Sequence, residues 1–194
     1  MNIAYKNVCV YLREIIEDAN RKSPFVIAFD GRSSSGKTTL AKELCSCCNI
    51  KIVHTDDFFR PRNEFGELEL TEFSGNFDLL RFKNEVITSI KSNRPVVYGV
   101  FDCKQGKIIE HINICEYDVI IVEGAYSLHP DLGEYADLKV FFDVDKQLQR
   151  LRIKERNGSN GLDMFEKIWF PCEEKYINKY KIDNRCDIIV DGGK

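Results

Sequence analysis

Eight consecutive residues constrain this chain more than any others. Gly31-Arg32-Ser33-Ser34-Ser35-Gly36-Lys37-Thr38 has the spacing G-x-x-x-x-G-K-S/T, the pattern of a loop that wraps phosphate. It follows the apolar run Phe25-Val26-Ile27-Ala28-Phe29 and precedes a helical pattern from about Lys37 to Cys48, which is the strand, loop and helix setting the pattern requires. Glycines let the backbone curl, so that successive N–H groups and a helix N-terminus converge on one cavity that favours anionic oxygens. Lys37 adds a mobile positive charge for β- and γ-phosphates, and Thr38 brings a hydroxyl suited to Mg²⁺. Thr39 is either helix surface or a further phosphate contact. The implied ligand is a nucleoside triphosphate with magnesium.

Composition narrows the rest. The 194 residues are 43% hydrophobic and 30% charged, which sets aside disordered, collagen-like and coiled-coil chains and predicts a single domain over 1–194. Lys plus Arg number 28 against 31 Asp plus Glu, a net charge of −3, without the basic surplus of a nucleic-acid binder. The stretch Met1 to Arg21 has no uninterrupted apolar core, so neither export nor membrane insertion is expected and the cytoplasm is the expected compartment. Eight cysteines then read as reduced thiols. Cys45, Cys47 and Cys48 lack a partner pair at zinc spacing and read as small hydrophobes on a helix.

Apolar spacing at Val8, Leu12, Ile15, Ile16 and Ala19 predicts an amphipathic N-terminal helix ending before Ser23-Pro24. Strands are expected at 25–29, 51–54, 95–100, 119–122, 138–142 and 187–190, and helices near 78–92, 146–156 and 162–178. Such alternation implies an α/β fold of three layers, a mostly parallel central sheet with helices on both faces. The aperiodic stretches 61–75 and 102–116 are where a small substrate lobe would be inserted, with some antiparallel excursion in the second.

Two acids stand where such a sheet binds ligands. Val119-Ile120-Ile121-Val122 leads into Glu123, at the carboxyl end of a buried strand and so in reach of Mg²⁺. His54-Thr55-Asp56-Asp57-Phe58-Phe59-Arg60-Pro61 begins at the end of the second strand. Phosphoryl transfer to an alcohol needs an acceptor for the hydroxyl proton, and one carboxylate of the pair Asp56 and Asp57 is placed to serve.

The loop, the Asp56-Asp57-Phe58-Phe59 segment, Asn76-Phe77-Asp78, Val122-Glu123-Gly124 and the tail from Phe170-Pro171 to Cys186-Asp187-Ile188-Ile189 together resemble the uridine kinase and phosphoribulokinase superfamily of P-loop kinases. The Asp-Asp-Phe-Phe segment with Pro61 is also similar to nicotinamide riboside kinases. The resemblance implies that Asp56 is the base and that Asp78 binds ribose hydroxyls. It also implies that arginines of a lid near 150–162, here Arg150 and Arg156, neutralise charge as phosphoryl moves. The lid departs from the family run, since Glu155-Arg156-Asn157-Gly158-Ser159 lacks its final arginine. So does the base-reading segment, since no histidine follows Tyr98 and Phe101 nearby.

The expected site therefore comprises the loop residues from Gly31 to Thr39, Thr38 and Glu123 for the metal, and Asp56, Asp57, Phe59, Asp78, Tyr98 and Phe101 for the acceptor. Lys37, Asp56, Arg150 and Arg156 are the expected catalytic set. Phe165, Trp169 and Phe170 at helical spacing read as core. The expected activity is transfer of the ATP γ-phosphoryl group to uridine or cytidine. Another small alcohol such as nicotinamide riboside or pantothenate, or a nucleotide-dependent switch, is the alternative. Oligomeric state and ATP against GTP stay open.

Overall fold

The computed structural model describes residues 1–18, 24–45 and 49–193. A central sheet is built of strands β1 (Asn2–Ala4), β2 (Phe25–Gly31), β3 (Ile50–His54), β6 (Val119–Glu123), β7 (Leu138–Asp143) and β8 (Ile188–Asp191). Its spatial order is β1-β8-β7-β2-β6-β3, and every neighbouring pair is parallel. The middle strands are near-continuous apolar runs because both faces are covered. Alternation along β2 sends Val26 and Ala28 into one core, and Ile27 and Phe29 into the other. Helices α1 (Tyr5–Asp18) and α2 (Lys37–Leu44) cover the second core with Val8, Leu12, Ile16, Leu40 and Leu44. On the first core lies the helical stretch α3 (Leu79–Phe82) and α4 (Thr88–Lys91), joined by a wide π turn at Lys83–Ile87. There too lies the end of the chain's longest helical run, α5 (Lys146–Met164) and α6 (Phe170–Tyr180), joined by a second π turn at Phe165–Trp169. These are the three layers that the alternation of elements predicts. Among the described residues no helix is long and apolar enough to cross a membrane.

Two expectations are corrected. The N-terminus does not open directly into a helix: β1 precedes it and pairs with β8, Asn2 opposite Ile189 through Ala4 opposite Asp191. Three residues are too few for a strand period to be read. The apolar run near 95–100 is strand β4 (Val96–Asp102), but it lies outside the parallel sheet and forms an antiparallel hairpin with β5 (Lys107–Ile114). The turn between them is fixed locally, since the Asp102 carboxylate accepts from the amides of Lys104 at 2.7 Å and Gln105 at 2.8 Å. The two expected C-terminal helices are present, parted at Gly158 where the backbone leaves helical geometry, and the second continues through the π turn at Phe165–Trp169 to Tyr180. Ala19, Ser23, Cys47 and Cys48, with the predicted ends of their helices, lie outside the described residues.

Candidate active site

At the carboxyl ends of β2, β3 and β6 a cavity of about 700 Å³ opens, walled also by the hairpin tip and by the run after the Gly158 kink. Sheet register explains its floor. His54 and Glu123 are opposite one another in adjacent parallel strands, so their side chains leave the same face. His54 Nδ1 sits 2.5 Å from Glu123 Oε1, and Thr38 donates to that same oxygen at 3.0 Å. Burial acts to raise the Glu123 pKa, but the His54 hydrogen bond, the Lys37 charge and the Thr38 hydroxyl outweigh it and hold this acid below its ordinary value. The bond from Glu123 raises the pKa of His54 in turn.

Asp56 lies on a one-turn 3₁₀ helix, Thr55–Phe58, directly after β3. Two contacts fix that turn. Gly124, with φ of 137°, has no Cβ, and one there would fall 1.9 Å from Thr55 Oγ1, so the turn packs against the end of β6 only because residue 124 is glycine. Phe58 is fully buried, edge-on to Phe82 at 4.9 Å and 5.1 Å from the Tyr98 ring, with the Arg81 guanidinium 4.4 Å above it. Asp56 thus stands deep in the cleft, open to it, with Lys37, Thr38 and Glu123 in the same wall. Its enclosure raises the carboxyl pKa, the Glu123 charge adds to this, and Lys37 and His54 oppose it.

Lys37 Nζ donates to the carbonyls of Gly31 at 3.0 Å and Arg32 at 2.7 Å, which holds its charge within the curl of the loop. Ser33, Ser34, Lys37 and Thr38 line the cleft, while Ser35, Gly36 and Thr39 line a second cavity on the outer side of the loop. Gly31 and Arg32 face neither. The Arg32 side chain turns outward to Asp143 at 2.7 Å and Glu174 at 2.5 Å. Buried Glu173 accepts the Ser33 amide at 3.1 Å and its hydroxyl, and Gln149 Nε2 donates to both the Ser33 carbonyl and Glu173. The loop is thereby strapped to α5 and α6.

Of the expected acceptor residues, Asp56, Phe59 and Phe101 line the cleft, and Asp57, Asp78 and Tyr98 do not. Tyr98 is 1% exposed and packs in the core on Phe58, the ordinary fate of an aromatic in a strand. Asp78 caps α3, accepting from the Arg81 amide at 3.0 Å, and the backbone carbonyl of Asp57 is held by Arg81. Arg150 pairs with Glu166 at 2.6 Å on the outer side of α5 and does not line the cleft. Arg156 does, and Arg152, four residues earlier on the same helix face, joins it at the outer cavity. The reading of Phe165 and Trp169 as core is also corrected: nothing in Phe165–Trp169 is fully buried, and both rings wall the cleft, Trp169 stacked on Phe59 at 6.1 Å. Helical spacing alone does not separate a core stripe from a cavity wall. Asn76 and Arg60, from segments singled out in the sequence without a role for either residue, also line this end, as do Arg62 and Lys104, which no motif marks.

Thr38 and Glu123 offer the oxygen donors that a hard divalent cation takes. Among the described residues no group of three or more His, Cys, Asp or Glu gathers to hold a metal. Magnesium keeps waters and substrate phosphate oxygens among its ligands, so two protein oxygens fit it.

The phosphate loop on a parallel sheet, with an acid across the cleft from it, defines a P-loop kinase. No family model matches the chain. A uridine kinase from Ureaplasma urealyticum serovar 10 is 30% identical over 157 residues, covering 72% of this chain and 74% of that protein. One from Halalkalibacterium halodurans is 28% identical over 190 residues, covering 89% and 88%. With these relatives the chain belongs to the uridine kinase family. Among solved structures, one described as a possible uridine kinase from Bacillus stearothermophilus superposes with a TM-score of 0.74 at 19% identity, over 96% of this chain and 98% of that one. A D-glycerate 3-kinase from Cryptococcus neoformans reaches 0.58 at 13% identity, over 88% and 87%. At these identities the likeness is one of fold.

Proposed function

We propose that this kinase moves the γ-phosphoryl group of ATP to a hydroxyl of a small nucleoside-like acceptor, uridine or cytidine before others. The observation that carries the reading is the placing of Asp56 in one cavity with Lys37, Thr38 and Glu123. A triphosphate cradled by the loop then points its last phosphate at the carboxylate. Asp56 takes the proton of the attacking hydroxyl, and its raised pKa makes it a better base than a carboxylate at its ordinary value. Lys37 and Arg156 carry positive charge to the transferring group, and the walls of the cleft exclude water that would compete with the acceptor. Thr38 and Glu123 are the residues that would hold magnesium, which when bound would supply charge neutralisation at the phosphates. Phe59, Phe101, Phe165 and Trp169 give the acceptor end the flat apolar walls that suit a heterocycle. Naming of relatives as uridine kinases supports the choice of pyrimidine nucleosides.

The test is ADP release from ATP and Mg²⁺ with and without uridine, cytidine, nicotinamide riboside and pantothenate. Strong stimulation by uridine or cytidine is expected. Stimulation by another alcohol alone would keep the kinase and replace the acceptor, and the same slow release in every well would leave a nucleotide switch.

A further inference from the structure

We infer that Tyr5, at the junction of β1 and α1, walls a subsite for the base of the nucleotide on the outer side of the phosphate loop. The inference rests on the kinase reading in one respect, that a triphosphate occupies the loop. A cavity of about 400 Å³ opens there, bounded by Tyr5, Gly36, Thr39, Arg152, Arg156 and Gly192. It shares Ser34, Lys37, Thr38 and Arg156 with the acceptor cleft, but neither Asp56 nor Glu123 reaches it. A triphosphate held by the loop has two ends. The end that is transferred faces Asp56, so the nucleoside leaves on the other side, into this cavity.

The chemistry of the walls suits a flat heterocycle attached to phosphate. The Tyr5 hydroxyl donates to the Gly36 carbonyl at 3.1 Å. Its Cε2 lies 2.5 Å from where a Cβ at residue 36 would stand, so the ring seats against the loop only because that position is glycine. Tyr5 remains half-buried, with part of the ring on the loop and part open to the cavity. Arg152 is fixed by donation to the Ser34 carbonyl at 3.0 Å and the Gly192 carbonyl at 2.9 Å, which presents a second planar group to the same space. Three cations, Lys37, Arg152 and Arg156, line the cavity, and among the described residues no carboxylate does. Strand β1 places Tyr5 there: Ala4 is opposite Asp191 in the sheet, next to Gly192. The N-terminal strand and helix therefore do more than close the sheet edge, since they bring an aromatic face to the nucleotide.

Calorimetric titration of the full chain with magnesium ATP and with magnesium tripolyphosphate separates the base end from the phosphates. Wild-type protein should bind ATP the more tightly. Tyr5→Ala should weaken ATP by about tenfold, within what one stacked base contributes, and leave tripolyphosphate nearly unchanged. Tyr5→Phe should retain ATP binding. If Tyr5→Ala does not fold, Tyr5→Leu, which fills the same space without an aromatic face, should show the same loss for ATP with tripolyphosphate nearly unchanged. A parallel loss for both ligands would make Tyr5 a support of the loop and overturn the inference, as would no loss for either. Wild-type protein that binds tripolyphosphate as tightly as ATP would overturn it while leaving the kinase reading intact. Failure of wild-type protein to bind either ligand would remove the kinase reading and the subsite together.

Discussion

The two ends of the cleft are built differently. At the phosphate end nearly every polar group is tied: Lys37 to two carbonyls, Thr38 and His54 to Glu123, Ser33 to Glu173 and Gln149, and Arg32 to Asp143 and Glu174. At the acceptor end the walls come from a hairpin tip, an irregular segment after β3 and the π turn at 165–169. Phe65 in that irregular segment is 79% exposed, and only Ile114 of β5 is buried. Binding a phosphate chain asks for fixed N–H groups and charges in one order, whereas binding an acceptor asks for a shape whose parts lie far apart in the chain. The first end can therefore be built by one short segment and the strands beside it, whereas the second has to be assembled by the fold.

Substitutions at the two ends should separate by which kinetic constant they move. The largest change is expected at the phosphate end, where Lys37→Ala should lower kcat/KM by about 10³-fold, the loss that follows removal of a charge aimed at the transferring group. Steady-state kinetics check it, and unchanged constants would detach the loop from catalysis. At the acceptor end Trp169→Ala should raise KM for the nucleoside by about tenfold and leave KM for ATP alone, since the ring is stacked on Phe59 across that wall. A rise in KM for ATP instead would blur the two ends. The smallest effect belongs to Asp78→Ala. As a helix cap its loss should cost about 1 kcal/mol in denaturant unfolding with KM for the nucleoside unchanged. A large rise in that KM would return Asp78 to the acceptor end.

The phosphate end was legible in the sequence because its geometry is local. Strand, curl, lysine and helix follow one another, and Glu123 is marked by the apolar strand it ends. The hairpin was less so: an alternating run such as Val96-Val97-Tyr98 reads alike whether it pairs in a parallel sheet or with its own neighbour, and only the tertiary packing decides. Arg150 and Arg152 differ by two residues, about 200° around a helix. The choice of which one faces the loop depends on the rotation of α5, which composition does not record. Trp169 hid for the same reason, its spacing matching a core stripe until the π turn places it in a wall. Tyr5 lay in a helix expected only to pack.

Asp56 joins the two ends, and its environment makes a further distinction. Because the fold raises the pKa of its carboxyl, that group's contribution to stability is whole below the unfolded carboxylate value and is lost as pH rises through the folded one. Asp56→Asn should therefore melt at a higher temperature than wild type at neutral pH, with the difference closing on acidification. The most direct measurement is kcat for Asp56→Asn beside its ATP dissociation constant. A fall in kcat of about 10²-fold with ATP affinity retained is the result expected of a base that meets the acceptor's hydroxyl. Undiminished turnover, or a loss of ATP binding in proportion to the loss of rate, would contradict a transfer site centred on this carboxylate.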